Sequence, residues 1–148
     1  MPVNWTIKRF DELTPFELYD LLRLRSEVFV VEQDCVFLDM DDKDQLCTHL
    51  MGWKNGRLIA YTRLVPAGIS YDEPSIGRVV SSPAERGTGI GRLLMEESIR
   101  QVHLLFGPQP VRIGAQLYLK KFYESFGFGQ VSEIYDEDGI DHILMLRS

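Results

Sequence analysis

The sequence predicts an α+β fold, within the broad α/β class, in which helices flank a mixed and mostly antiparallel central sheet of six to seven strands. The first observation behind this prediction is the order of the segments: strand, helix, three or more strands, helix, strand, helix and two strands. This order favours helices that cover a mixed sheet. The second observation is a pair of hairpin signals, Asn55-Gly56 and Asp138-Gly139, each between two strand-like runs.

The N-terminal segment contains a strand, a capped helix and an acidic loop. The strand is VNWTIKRF. Thr14 as N-cap, Pro15 at the first helical position and Glu17 completing a capping box predict the start of the helix. We expect this helix to end near Phe29 and residues 32–45 to form the acidic loop.

The remaining elements follow from alternation, glycine positions and apolar patterning. Asn55-Gly56 joins the strands of the first hairpin, and a short buried strand, SIGRVVS, precedes a glycine-rich loop. An amphipathic helix follows that loop, and then the buried strand VRIGA. A further helix, AQLYLKKFYESFG, is expected to end at Gly127, and the tail is expected to form two antiparallel strands around Asp138-Gly139.

Bulk properties predict one domain, residues 1–148, and argue against several classes of protein. The formal net charge is -6, so nucleic acid is not the expected partner, because phosphate binding needs a basic face. Cys35 and Cys47 have neither disulfide-framework nor zinc-site spacing, and no metal is expected. No apolar run reaches membrane length and the first residues lack the apolar core of a secretory leader. We therefore expect a cytoplasmic protein with no membrane partner.

The segment ERGTGIGRLL places three glycines directly before an apolar helical run. It matches neither the P-loop nor the dinucleotide fingerprint, because Arg92 stands where each requires glycine. It does match R-x-x-G-x-G, with Arg86, Gly89 and Gly91 between a strand and a helix. Unpaired N–H groups of the first helical turn, the helix dipole and the two arginines favour a bound diphosphate. The alternative is a glycine-rich turn without a ligand.

Two segments resemble motifs of the GNAT superfamily of acetyl-CoA-dependent N-acetyltransferases. VVSSPAERGTGIGRLL resembles motif A, and AQLYLKKFYESFGF resembles motif B. Five further stretches, RSEVFVVEQ, GWKNG, IGRVV, FYESFGF and EDGIDHI, are similar to the ElaA-like branch of that superfamily. The resemblance covers most of the chain and implies the GNAT fold, with acetyl-CoA as co-substrate and no metal.

The resemblance also implies which residues bind the cofactor. In such proteins the strand before the glycine loop splays from its neighbour at a bulge, the pantetheine arm pairs with the exposed strand backbone, and the pyrophosphate lies on the loop amides. Three residues depart from the family pattern: Ser81 stands in place of an apolar residue, Gln116 in place of asparagine and Leu119 in place of alanine. The cofactor-binding residues expected on this basis are Val79, Val80, Ser81, Arg86, Gly87, Thr88, Gly89, Ile90, Gly91, Gln116 and Tyr123.

The chemistry implied is direct attack of an amine on a thioester. A backbone N–H on the splayed strand stabilises the tetrahedral oxyanion, and holding the two reactants in line supplies much of the remaining rate gain. Tyr123 matches the family tyrosine that protonates the leaving thiolate, a role that suits a phenol. The helical spacing of aromatic residues around Tyr123 favours instead a purely structural place in the core.

The acceptor amine must lose a proton, and the candidate bases are Glu32, His49 and His142, with water as a relay. We assign the catalytic roles to Tyr123, Glu32 and His142. The acidic loop does not match a calcium loop, since Lys43 occupies a ligand position.

For the carboxylates of the acidic loop we favour a solvated charge run. One alternative is a rim that attracts a cationic amine, with Glu32 or Asp41 in contact with it. The other is that Arg25 and Arg63 pair with these acids and hold the loop in place.

Three functions compete for this sequence. The leading hypothesis is an N-acetyltransferase that acts on a small-molecule or peptide amine. The N-terminal half also looks like autoinducer synthases, which share the fold and acylate S-adenosylmethionine from an acyl carrier, although those proteins lack an intact R-x-x-G-x-G loop. The third hypothesis is a non-catalytic acyl-CoA-binding module. A homodimer is possible through the β-edge of the final hairpin.

Overall fold

A computed structural model describes residues 2–148, which form eight strands and three α-helices. The strands are β1 (Asn4–Arg9), β2 (Thr48–Lys54), β3 (Arg57–Val65), β4 (Ser75–Ser81), β5 (Val111–Gln116), β6 (Phe128–Gln130), β7 (Tyr135–Glu137) and β8 (Ile140–Arg147). The helices are α1 (Pro15–Arg25), α2 (Ile90–Phe106) and α3 (Lys120–Glu124), and a π-helical segment, Ser26–Glu32, continues from α1. Short 3₁₀ turns lie at Phe10–Glu12, Asp44–Leu46, Pro83–Glu85 and Leu117–Leu119.

The first sheet has four antiparallel strands in the order β1-β2-β3-β4. The predicted hairpin at Asn55-Gly56 is confirmed and joins β2 to β3. Both turn residues have positive φ, 52° for Asn55 and 74° for Gly56. Positive φ at both central residues is what a type I′ turn requires, and this turn matches the twist of the strands.

The second sheet is built around β8. Strand β5 pairs with one edge of β8, and β6 and β7 pair in succession with the other, all antiparallel. The predicted turn at Asp138-Gly139 is confirmed and joins β7 to β8. The expected single sheet of six to seven strands is corrected to eight strands in two sheets of four. The strand that the sequence did not predict is β6. It has three residues, and only its pairing with the C-terminal end of β8 defines it.

Two apolar clusters hold these layers together, one on each face of the first sheet. The larger one forms where α2 packs across both sheets, with Leu94, Met95 and Val102 at 1% exposure or less. The smaller one lies under α1, where Leu21 and Tyr61 are fully buried. Because neighbouring residues of a strand face opposite sides, Ala60 joins the first cluster and Tyr61 the second.

Two of the predicted helices have different bounds. The Thr14 capping box is present, but α1 ends at Arg25 and the chain continues as a π-helix beyond the expected end at Phe29. The helix predicted over AQLYLKKFYESFG is reduced to α3, because its first residues complete β5 by pairing with β8. Gly127, with φ of 93°, ends the helical stretch as predicted.

The two sheets meet along the edge strands β4 and β5, which are joined by a backbone hydrogen bond near their beginnings. There the N–H of Arg112 donates to the carbonyl of Pro74 at 3.1 Å, and the Arg112 guanidinium pairs with Glu73 at 2.9 Å. Beyond this point, no backbone hydrogen bond joins β4 to β5 within residues 2–148. The strands therefore leave a cleft between the sheets.

Candidate active site

The cleft between the sheets has a volume of about 1310 Å³. Its walls are β4 on one side and the end of β5 with α3 on the other. The glycine loop and the start of α2 close one end, and the acidic loop with the β7–β8 turn lies at the other. A site of this size, with two strand edges and a helix N-terminus facing it, suits a long ligand with amide and anionic groups.

A β-bulge shapes the β4 wall. The register between β3 and β4 shifts so that Arg78 and Val79 stand opposite the single residue Thr62. Arg78 has φ of 49°, a left-handed conformation that costs a residue with a Cβ roughly 1–2 kcal/mol. The bulge turns the last part of β4 away from regular pairing, as the family resemblance implies.

The glycine loop presents unpaired donors to the cleft. Gly87 and Gly89 have φ of 81° and 84°, and a Cβ built on either meets no atom within 4 Å. The first helical acceptor of α2 is the Gly89 carbonyl, which receives the N–H of Leu93 at 3.2 Å. The N–H groups of the three residues between them therefore have no acceptor in the helix. These donors follow directly on the open space at Gly87 and Gly89, so the start of α2 is a candidate anion site.

The predicted cofactor-binding residues line the cleft on both walls and at the glycine-loop end, with one exception. Ten of them line it: Val79, Val80, Ser81, Arg86, Gly87, Gly89, Ile90, Gly91, Gln116 and Tyr123. Thr88 does not, because its N–H and its hydroxyl both donate to the carbonyl of Glu85, at 3.3 Å and 2.5 Å. Thr88 therefore braces the loop from behind.

Tyr123 lies at the cleft and in the core at once. Its ring packs edge-on against Phe122 and Phe128, and the side chain is 5% exposed. Burial raises the pKa of its hydroxyl well above the ordinary range. The group is therefore protonated throughout the range in which enzymes are assayed, as a proton donor must be.

Glu32 ends the π-helical segment and binds Arg86 of the glycine loop. Its two carboxylate oxygens accept from the two terminal nitrogens of Arg86 at 2.5 Å and 2.6 Å. The hydrogen bonds from Arg86 lower the pKa of Glu32. While this pair holds, Glu32 is a weak proton acceptor.

His142 lines the cleft from β8. Its Nδ1 lies 2.8 Å from the Ile140 carbonyl oxygen, and its Nε2 lies 3.2 Å from the carboxylate of Glu137. Both neighbours are acceptors, and only the protonated ring donates to both. His142 therefore lies at the cleft with an acceptor beside each ring nitrogen.

His49, the third candidate base, is fully buried and does not line the cleft. Its Nδ1 lies 2.6 Å from the Tyr61 hydroxyl and its Nε2 lies 2.9 Å from the Asp44 carbonyl. Burial lowers the pKa of the ring. Its contacts fix the start of β2 to β3 and to the acidic loop.

The acidic loop is pinned by arginines. Arg25 binds Asp39 and Asp44, each at 2.8 Å. Arg63 binds Asp44 at 2.9 Å and holds both oxygens of Asp41, at 2.7 Å and 2.8 Å. The favoured interpretation of a solvated charge run is therefore wrong for these three carboxylates, and the alternative in which Arg25 and Arg63 anchor the loop is correct.

A third arginine completes this network. Arg78, the bulge residue, donates to the Asp39 carbonyl at 2.7 Å, and its Nε lies 2.9 Å from an Asp39 carboxylate oxygen. We call the three arginines and three aspartates the buried ion cluster. Its members are Arg25, Arg63, Arg78, Asp39, Asp41 and Asp44. Their formal charges cancel, so Asp41 is not a free carboxylate for a cationic amine.

The buried ion cluster makes stability dependent on acid pH. Burial alone would raise the pKa of Asp41 and Asp44, but the arginines outweigh it and hold both pKa values below the usual range. The folded chain then binds fewer protons than the unfolded chain. Their stabilisation is expected to be complete above about pH 5 and to be lost progressively below about pH 4. Urea unfolding at a series of pH values checks this, and equal stability at pH 5 and at about pH 2.5 would contradict it.

Two cleft residues have no clear signal in the sequence. Gln33 exchanges amide hydrogen bonds with Gln116 across the cleft, at 3.3 Å and 3.4 Å. Tyr71 reaches β5 from the loop before β4, where a Cβ on Gly114 would lie 3.0 Å from its hydroxyl. The bulge at Arg78, by contrast, has a sequence signal, because Arg78 lies in the stretch IGRVV that resembles the family.

The geometry can now be compared with known proteins. A sequence model of the family described as acetyltransferase (GNAT) domain matches residues 27–147. The chain belongs to the GNAT acetyltransferase family. It is 42% identical over 147 residues to Protein ElaA of Escherichia coli K12, covering 98% of this chain and 96% of that protein. The predicted ElaA-like branch is therefore confirmed.

Solved structures agree with this assignment. The fold matches an acyl-CoA N-acyltransferase from Pseudomonas aeruginosa with a TM-score of 0.95 and 44% identity, covering 99% of this chain and all of that one. It matches Escherichia coli ElaA with a TM-score of 0.93 and 41% identity, at 99% and 100% coverage. The GNAT fold is confirmed, and the chain is an acyltransferase.

The likeness to autoinducer synthases is one of fold. The AHL synthase LasI matches with a TM-score of 0.79 at 13% identity, over 98% of this chain and 89% of that one.

Among residues 2–148, no helix is both long enough and apolar enough to cross a bilayer.

Proposed function

We propose that this GNAT protein transfers an acetyl group from acetyl-CoA to a primary amine by direct attack on the thioester. The observation that carries the proposal is the set of unpaired N–H groups at the start of α2, beside Arg86, at one end of an open cleft between two strand edges. Helix N-termini with glycine loops bind diphosphates, and strand edges bind extended amides. Acetyl-CoA carries a diphosphate in its nucleotide part and amides in its pantetheine arm, so one molecule supplies both groups.

In this proposal the glycine loop holds the diphosphate and β4 holds the pantetheine arm. Gly87 and Gly89 leave room for phosphate oxygens to approach the backbone, and Arg86 and Arg92 add charge. The last part of β4, beyond the Arg78 bulge, offers backbone groups to the pantetheine amides. In this arrangement the thioester lies back along β4 near the Arg78 bulge, because the diphosphate occupies the end of β4 that leads into the glycine loop.

The amine nitrogen then attacks the thioester carbonyl, and the carbon–sulfur bond breaks as the amide forms. A backbone N–H of β4 stabilises the oxyanion. Tyr123 gives its proton to the departing thiolate, and the ammonium proton leaves to Glu32, to His142 or to water. The acceptor proposed is a small-molecule or peptide amine.

Release of free thiol from acetyl-CoA in the presence of a panel of amines tests the function. The panel contains a peptide N-terminus, a lysine side chain, a polyamine, an aminoglycoside and small primary amines. We expect amine-dependent thiol release with at least one of them. Tight CoA binding without thiol release from any amine would favour the non-catalytic module instead.

Gly89→Asp is expected to weaken CoA binding by roughly tenfold or more, because it places a carboxylate where the diphosphate approaches the helix N-terminus. The matched control is Gly56→Asp, which adds the same charge at another glycine with positive φ and open space, in the β2–β3 turn. Calorimetric titration of both variants with CoA measures the difference. Equal affinities in the two variants would contradict the diphosphate site.

A further inference from the structure

Residues 32–35 cross the cleft, and we call this segment the strap. Glu32 binds Arg86 of the glycine loop, and Gln33 pairs with Gln116 at the end of β5. The strap thus joins two walls that the proposed cofactor must pass between. Both of its partners lie at positions assigned to the cofactor.

The strap has a third anchor at the acceptor end of the cleft. The Cys35 thiol donates to the Asp138 carbonyl in the β7–β8 turn at 3.0 Å. Between the anchors, Asp34 adopts φ of 49°, a left-handed conformation that is unfavourable for a residue with a Cβ. The strap is therefore held in place by its contacts across the cleft.

The Glu32–Arg86 pair has the geometry of a phosphate contact. A guanidinium offers parallel N–H donors to a carboxylate or to a phosphate, but the same donors serve only one of them at a time. If Arg86 offers to the diphosphate the same pair of N–H groups that now holds Glu32, as we expect from the proposed function, its two terminal nitrogens must leave Glu32. We infer that Glu32 is an internal competitor of the cofactor diphosphate for Arg86, so that cofactor binding releases the Glu32 carboxylate into the cleft.

Glu32 is set apart from the other carboxylates that line the cleft. Asp41 is held by Arg63 within the buried ion cluster, and Glu137 lies against His142. Neither Arg63 nor His142 belongs to the glycine loop. Asp138, in the β7–β8 turn, makes no ion pair among residues 2–148 and so has no partner to exchange. When the diphosphate binds Arg86, the Glu32 carboxylate is therefore released. Glu32 is one of the candidate bases for the acceptor amine.

The π-helical segment gives the carboxylate a way to move. Its seven residues, Ser26–Glu32, are wound more widely than an α-helix, and π-helical turns are rare and frequent at functional sites. Return of this segment to α-helical winding turns Glu32 about the helix axis. The Arg86 contact holds Glu32 at the end of the π-helical segment, and its loss removes that restraint.

Glu32→Gln tests the inference, with Glu27→Gln as the matched control. Glu27 lies in the same π-helical segment and pairs with Arg23 at 3.0 Å, so its replacement changes the net charge equally without touching Arg86. We expect Glu32→Gln to bind CoA about twofold to fivefold more tightly than Glu27→Gln, the range given by exposed ion pairs. Calorimetric titration with CoA measures both. Dephospho-CoA, which keeps the diphosphate and lacks the 3′-phosphate, is expected to show the same gain.

A double-mutant cycle with Arg86→Gln completes the test. Arg86→Gln alone is expected to weaken CoA binding, and adding Glu32→Gln to it is expected to give no further change, because Glu32 acts through Arg86. A Glu32→Gln variant no tighter than Glu27→Gln, a gain that persists without Arg86, or a gain absent with dephospho-CoA would each overturn the inference while leaving the proposed function intact. Absence of CoA binding by the wild-type protein would remove both.

Discussion

Tyr123→Phe is expected to lower the rate of acetyl transfer by about tenfold to a thousandfold, the range for loss of a general acid, with little change in CoA affinity. The substitution removes one hydroxyl group and keeps the ring that packs against Phe122 and Phe128. Burial raises the pKa of the hydroxyl, so the wild-type group carries its proton when the thiolate departs. Steady-state rates of thiol release and calorimetric CoA titration measure the two quantities separately.

Tyr118→Phe is the matched control for that experiment. Tyr118 also lines the cleft, but it is 73% exposed and lies on the turn before α3. We expect its replacement to leave the rate within about twofold of wild type, since a solvated hydroxyl is readily replaced by water. An unaltered rate in Tyr123→Phe would remove the assigned role, and a large loss in Tyr118→Phe alone would transfer it.

Asp44→Asn is expected to lower the free energy of unfolding by about 3 kcal/mol or more, because removal of one partner leaves buried charge uncompensated. One Asp44 carboxylate oxygen accepts from both Arg25 and Arg63, whose side chains are 0% and 4% exposed. The asparagine keeps the shape and can still accept, but the cluster gains a net positive charge. Urea unfolding at neutral pH measures the loss.

Asp42→Asn provides the control for the buried ion cluster. Asp42 lies in the same loop, is exposed, and has φ of 62°, which asparagine also tolerates. A change within about 0.5 kcal/mol is expected at this position, as for most surface sites. If the two variants unfolded at the same urea concentration, the cluster would not be a stabilising feature.

Local sequence signals predicted much of the fold and part of the site. The capping box at Thr14, the two hairpin turns and the glycine loop before α2 all depend on a few adjacent residues, and all are present. The roles assigned to Tyr123, Glu32 and His142 stay predictions. The structure adds that these side chains face one cleft.

Contacts between distant segments could not be predicted in the same way. The two sheets are separate because, after the Arg112–Pro74 hydrogen bond, β4 and β5 form no regular pairing within residues 2–148, and no local pattern encodes this. The arginine partners of Asp39, Asp41 and Asp44 come from α1, β3 and β4, so the acidic loop looked solvated. The residues at the end of β5 were predicted to be helical from their spacing, but they pair with β8 instead.

The bulge residue Arg78 connects strand β4 with the acidic loop. Its backbone sets the path of β4 along the cleft, while its guanidinium binds Asp39 of the acidic loop. A redesign of that loop to accept a new amine would therefore also alter the strand with which we propose that the cofactor pairs. Libraries aimed at acceptor range should vary the loop and residues 77–79 together.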